Sequence, residues 1–306
     1  MTQGLHRAVN RALKPLSQLL PRNRAVDRLY HHLLFLWKHG RLPRQDARLW
    51  NDMWFRLKTS DEILDPLRVF VTDKENLKTY VRQTVGDEHN VPTLALLTKP
   101  EQVDDFEFPA DCCIKPTHAS SHVILRTGGA PVDRNRIKDW FALDYYFKSR
   151  EPHYSRLTPK VIVEPLIFGN SNIEDYKIFC YEGEARIIQV DVDRFVEHKR
   201  KFFDSDWNEL DFSIIYPRTS QLIARPDTLE EMLDIARTLS RPFSFVRIDL
   251  YTDNRRVLVG EITHCSDNAG GVFLPRSAEA TASERMFGYP PERRNGRSLN
   301  GNGDAA

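Results

Sequence analysis

A chain of 306 residues with 41% hydrophobic, 28% charged and 10% aromatic residues is long and apolar enough to bury a large core, which excludes a fibrous or disordered protein. Its 44 basic and 43 acidic residues leave a formal net charge of +1, without RNP-type aromatic motifs, so no nucleic-acid partner is expected. The four cysteines, Cys112, Cys113, Cys180 and Cys265, form no CxxC pair, and neither a membrane-length apolar run nor a secretory signal is evident; the expected setting is the reducing cytoplasm.

Residues 1–40 carry Arg7, Arg11, Lys14, Arg22, Arg24, Arg28 and Lys38 against Asp27 alone, a net of +6, interleaved with leucines at helical spacing and broken at Pro15 and Pro21. Such a segment either lies on an anionic membrane surface, at the inner face of the membrane, or docks its leucines on the body of the protein. Residues 41–110 form a further N-terminal region. The run CCIK then ends in Lys115, where a strand aims an ammonium either at a phosphate or at solvent. VIVEPLI (161–167), DYKIFCY (175–181) and ARIIQVDV (185–192) read as strands. Glu164 is followed by Pro165, which removes a backbone donor; this reads either as a hinge that an adenine edge can meet or as an acid on an edge strand. Lys177 alternates with Tyr176 and Ile178 and can face the same cleft. HKRK (198–201) reads on its own as a solvated basic loop, and Asp191 and Asp193 share a strand face with Gln189. From Asp227 to Ser240 the period changes to 3.6, with a DxxE capping box from Asp227 to Glu230 and Pro242 closing the helix. Strands and helices in irregular order imply an α+β fold. The segment after Pro291, rich in Asn and Gly, reads as a disordered tail, taken as 289–306.

FVRIDLY, TDNRR and VLVGEIT form the most informative stretch. A hairpin with its turn centred on Arg255 sets Asp249 opposite Glu261, and alternation places Arg247 and Asp249 on one face, with Val246, Ile248 and Leu250 on the other. Facing carboxylates repel unless a cation lies between them, and their hard oxygens suit Mg²⁺ shared with a nucleotide phosphate. The alternative is an ordinary polar hairpin face.

The ordered set TDKENLKTYV (72–81), CIKPTHASSHVIL (113–125), REPHYSRLTPKVIVEPLI (150–167), DYKIFCYEGEARIIQVDVDRF (175–195), HKRKFFDSDWNELDF (198–212) and FVRIDLY with a downstream GEIT resembles the TupA-like ATP-grasp family, over roughly residues 40–288. The resemblance implies an ATP-grasp fold at 111–288, with subdomains of about 111–165 and 166–288 whose antiparallel sheets enclose ATP, preceded by a smaller helical region. It implies that Lys115, with Lys74 or Lys78, contacts the nucleotide phosphates, that Glu164 and the backbone through Leu166 and Ile167 form the adenine hinge, and that Lys177 lies beside the nucleotide. Arg247 would stabilise the transferring phosphoryl group, with Lys199 and Arg200 near it, while Asp249, Glu261 and, in place of the usual asparagine, Thr263 hold Mg²⁺. The expected activity is an ATP- and Mg²⁺-dependent carboxylate:amine ligase working through an acyl phosphate. A small-molecule or polysaccharide-linked carboxylate and an amine such as an amino acid would be its partners, in cell-surface polysaccharide synthesis. Two departures, a glycine-free PTHASSH (116–122) and HCSDNAGG after Thr263, keep open a catalytically weak nucleotide binder that scaffolds polymer-synthesis enzymes near a membrane.

Overall fold

A computed structural model describes residues 20–44, 48–169, 173–192 and 197–288. The expectations for residues 1–19, for Asp193 and for the tail from 289 lie outside the described residues. The chain enters through α1 (Arg24–His39), whose Asn23 cap accepts the Val26 N–H at 3.0 Å and which ends at Gly40 in the left-handed region (φ 68°). Then come α2 (Trp50–Thr59), α3 (Pro66–Thr72) and α4 (Lys74–Thr84). The last two are capped by Asp65 and Asp73, whose carboxylates take the first free amides of each helix.

An antiparallel sheet in the order β1-β4-β2-β3 follows, made of β1 (Ala95–Leu97), β2 (Cys112–Pro116), β3 (Ile124–Arg126) and β4 (Val161–Glu164). Leu97, Ile114, Val161 and Val163 pack there with Val103 of α5 (Gln102–Asp105), Ile137 of α6 (Arg134–Asp139) and Trp140, ahead of α7 (Tyr145–Ser149). β1 lies upstream of residue 111, so this sheet recruits a strand from the region expected to precede it.

The larger sheet is also antiparallel, with order β11-β10-β5-β6-β7-β8: β5 (Asp175–Tyr181), β6 (Glu184–Val192), β7 (Lys199–Asp204), β8 (Glu209–Leu210), β10 (Phe245–Thr252) and β11 (Val257–Thr263). A two-stranded ribbon, β9 (Ser213–Ile214) with β12 (Phe273–Leu274), and the helices α8 (Leu229–Ser240) and α9 (Ala278–Phe287) complete the described elements. Alternation gives the large sheet two unlike faces. Ile178, Ile188, Val190, Val246, Ile248 and Leu250 meet Leu229, Met232, Leu233, Ala236 and Leu239 of α8. On the other face Phe179, Ile187, Phe202 and Phe245 pack under α1, α2 and α9, with Trp54 stacked on Phe245 at 3.8 Å. The remaining half of that second face is polar.

Two local expectations need correction. The turn of the β10–β11 hairpin spans Asp253 to Arg256, since Thr252 pairs with Val257, and the register shifts between Asp249 and Leu250, leaving Gly260 as the extra residue of a bulge. That bulge restores the pairing of Asp249 with Glu261. The capping box of α8 does not form: Thr228 occupies the cap, and its hydroxyl hydrogen-bonds across to Thr252 Oγ1 at 2.7 Å instead.

Candidate functional site

On α4, Lys74 and Lys78 stand one turn apart, so both reach from one side of the helix. Adjacent β2 supplies Lys115, and β4 ends at Glu164. Glu164, with only 3% of its side chain exposed, accepts from Lys78 and from Lys115, each at 2.6 Å. Burial would raise its carboxyl, but the two ammoniums outweigh this and hold it below the usual range. The Glu164 carboxylate also lifts Lys115 above an ordinary lysine, despite burial. Lys78 is lowered, because burial exceeds what its share of the same carboxylate returns. The Glu164 carboxylate, expected at an adenine hinge, is engaged by two lysines. After it, Leu166 and Ile167 are half-buried in the connection between the two sheets, and Gly169 N–H donates to Leu166 O at 3.0 Å.

Lys74 bridges the sheets. Its ammonium donates to Ala119 O at 2.8 Å and lies 4.0 Å from Glu261 on β11. Its backbone N–H donates to Thr117 O, and the Thr117 hydroxyl donates to Asp73 at 2.7 Å. The glycine-free loop after Lys115 is thus pinned to the start of α4.

The polar half of the large sheet places Asp249 beside Lys177 and opposite Glu261. Arg247 grips Asp249 through Nε at 2.6 Å and Nη2 at 2.8 Å, while Lys177 Nζ donates to Oδ2 at 3.0 Å. Burial would raise the Asp249 carboxyl, but these cations keep it below the ordinary value. Arg247 also donates to Ser266 Oγ at 2.8 Å and to Thr263 Oγ1 at 3.1 Å. Further along the face, Arg200 Nε donates to Asp191 at 2.7 Å, and its Nη1 donates to Ile214 O at 2.8 Å and lies 3.8 Å from Asp267.

Lys199 does not join this group. The pleat that turns Arg200 toward Asp191 sends Lys199 to the opposite face, where it pairs with Glu197 at 2.9 Å. Thr263, two residues after Glu261 on the same strand face, has its hydroxyl accepting from Arg247 Nη2. Among the described residues no group of three His, Cys, Asp or Glu is arranged to hold a metal. Asp249 and Glu261, two hard-oxygen donors side by side on one face, fit a divalent ion that takes its remaining ligands from phosphate or water. Sequence reasoning missed Asp175, which pairs with Lys177, and Ser266. Asp175 was open to the alternation rule, being two residues from Lys177. Ser266 lies in a loop with no period, within a run where Asp267, Asn268 and Ala269 all have positive φ (50°, 57° and 57°).

Lysines from the small sheet and α4 thus meet an Arg-Asp-Glu constellation on the large sheet, and residues 53–285 match the family described as TupA-like ATPgrasp. The chain belongs to the TupA-like ATP-grasp family. Its two antiparallel sheets, joined through the Pro165 segment, are those of the ATP-grasp fold. The comparison with curated proteins returns no match. Solved structures similar to this TupA-like protein include D-alanine–D-alanine ligase from Bacillus anthracis complexed with ATP, at 15% identity over 72% of this chain and 63% of that one, with a TM-score of 0.39. ATP-grasp ligase PsnB complexed with minimal precursor is 14% identical over 71% and 61%, TM-score 0.38. D-cycloserine synthetase DcsG is 15% identical over 72% of each chain, TM-score 0.36. The TupA-like chain therefore spans less than two thirds of the first two.

Proposed function

We propose that this TupA-like protein is an ATP- and Mg²⁺-dependent carboxylate:amine ligase. The observation that carries the reading is the meeting, across two sheets, of Lys74 with Glu261 at 4.0 Å beside the buried Arg247–Asp249–Lys177 cluster. Each charge there is matched by another side chain, so a bound polyphosphate exchanges partners without leaving a charge bare: its oxygens take the cations, and Asp249 and Glu261 would hold the metal. Lys74 and Lys115 hold the phosphates from the small-sheet side and Arg247 from the large-sheet side, while the Pro165–Ile167 backbone meets the adenine edge. Mg²⁺, when bound, neutralises phosphate charge between Asp249 and Glu261. A substrate carboxylate attacks the γ-phosphorus as the bond to ADP breaks; an amine then attacks the acyl carbon, and inorganic phosphate leaves.

The substrates we infer are a small or polysaccharide-linked carboxylate and an amine, in the synthesis or decoration of a cell-surface polymer. No helix among the described residues is long and apolar enough to cross a membrane. α1 supports peripheral contact with an anionic surface at the inner face of the membrane: it docks through Asp27, His31 and Phe35, while Leu29, Leu33 and Leu36 are 62%, 58% and 42% exposed. The full engagement of Asp249 and the pinned loop after Lys115 favour, as a second reading, a nucleotide-binding relative with weak catalysis that acts as a scaffold. Phosphate release from ATP, screened over amino acids and uronic acids, separates the two: substrate-dependent release supports the ligase, and ATP binding without release supports the scaffold.

A further inference from the structure

Beyond Asp249 the polar face of the large sheet carries a second group of side chains for which nucleotide binding has no use. His198 stands just ahead of β7, two residues before Arg200, so the pleat turns both to the same side. Its Nε2 lies 3.2 Å from Asp191 Oδ1, and its ring rests against Tyr216 with the centroids 3.8 Å apart. Arg200 fixes both of these partners: Nε donates to Asp191 at 2.7 Å, and the guanidinium lies over the Tyr216 ring at 4.7 Å. Gln189 Nε2 adds a further donor to Asp191 at 2.9 Å. Asp191 is only 2% exposed, whereas 15% of the His198 side chain reaches solvent. A buried, fully oriented carboxylate thus backs an accessible imidazole.

Burial would raise the Asp191 carboxyl, but His198, Arg200 and Lys177 hold it well below the usual range, so it stays charged. A carboxylate beside Nε2 favours the ring proton there and leaves the lone pair on Nδ1. The contact lacks the alignment of a full hydrogen bond, as catalytic pairs often do before substrate arrives. Lys177 Nζ lies 3.9 Å from Asp191 and 3.0 Å from Asp249, so a single ammonium joins this dyad to the metal-binding carboxylate. Asp191 and Asp249 stand two strands apart, about 10 Å, the room that an acyl phosphate and its incoming amine need between metal and base. On the same face Gln189 Oε1 is buried with no partner among the described residues, an acceptor left for an N–H.

We propose that His198, oriented by Asp191, is the general base that deprotonates the acceptor amine. The inference rests on the ligase reading and supplies the base that reading lacks. Nδ1 takes one proton from the bound ammonium while Gln189 Oε1 accepts an N–H that remains. The freed lone pair attacks the acyl carbon and the C–N bond forms; the bond from that carbon to the phosphate oxygen breaks, and phosphate leaves with the electron pair and a second proton from the nitrogen. His198 then returns its proton to water. An imidazole changes charge between about pH 5 and 8, which suits a base working near neutrality. Asp191 from β6, Tyr216 from the segment after β9 and Arg200 on its own strand are the ionisable groups that face it among the described residues.

The test is phosphate release by the full-length protein, followed against pH, with the carboxylate and amine that the screen over amino acids and uronic acids selects. Release by the natural protein should rise through the range in which an imidazole loses its proton. His198→Gln should lower it roughly a hundredfold at neutral pH and move the rise to the alkaline range where the amine sheds its proton unaided, with the melting shift from ATP and Mg²⁺ retained. In a second arm hydroxylamine, whose nitrogen is already uncharged at neutral pH, replaces the amine; release and hydroxamate formation by the variant should then come close to those of the natural protein. His198→Asn covers a failure of the first variant to fold. An unchanged pH profile in the folded variants, or equal losses with hydroxylamine and with the amine, would overturn the proposal and leave the ligase reading standing. Absence of release from the natural protein with every pair, hydroxylamine included, contradicts the ligase reading itself and removes the base with it.

Discussion

Glu164 holds two lysines on one buried carboxylate, which gives stability a definite pH dependence. Because its folded pKa lies below the unfolded one, its contribution is present above the unfolded value and is lost as pH falls through the folded value, so acid titration below about pH 4.3 should destabilise the natural protein. Glu164→Gln leaves Lys78 and Lys115 unpaired beside it; chemical denaturation at neutral pH should show a loss of about 3 kcal/mol, and that acid-dependent component should vanish. Asp249→Asn or Glu261→Gln removes a metal-binding charge, so steady-state phosphate release should fall roughly a hundredfold or more. The part-exposed Glu261→Gln should leave the melting temperature little changed, whereas Asp249→Asn, which leaves the buried Arg247 without its carboxylate, should lower it as well. Full turnover by both variants at limiting Mg²⁺ would reduce the pair to a polar hairpin face.

Strand pleat decides which residue of a basic run reaches the site. Arg200→Ala should lower kcat by roughly a hundredfold, since its fork meets Asp191 on the polar face, whereas Lys199→Ala should leave kcat nearly unchanged; parallel kinetics of the two variants check this. Equal losses would contradict the facial assignment. The bulge at Gly260 is a second element-level constraint, because a Cβ there would lie 2.5 Å from the Tyr251 ring. Gly260→Val should cost about 1–3 kcal/mol in urea unfolding and disturb the Asp249–Glu261 pairing with it. The strands and the carboxylate pair were legible because period-2 runs of β-branched and aromatic residues fix face and approximate register. The bulge was not, since a lone glycine says nothing of which residue is extra, and the destiny of Thr228 depended on Thr252 across space. Glu164 showed its type but not its partners: its two lysines come from 86 and 49 residues upstream, beyond any local pattern.

At the scale of the molecule, α1 is anchored by aromatic and polar residues while Leu29, Leu33 and Leu36 face outward. If that face meets an anionic bilayer, the full-length protein should sediment with acidic vesicles at low salt, and Leu29→Glu with Leu33→Glu should abolish this without changing the melting temperature. Cosedimentation that survives both changes would place the contact elsewhere. The two sheets form an enzyme only if a nucleotide sits between them, and the melting temperature with and without ATP and Mg²⁺ measures this most directly, because a ligand bound only to the native state stabilises it by mass action. The natural protein should melt higher with millimolar ATP, and both Lys115→Ala and Arg247→Ala should shrink that rise; no rise in the natural protein would contradict nucleotide binding between the sheets.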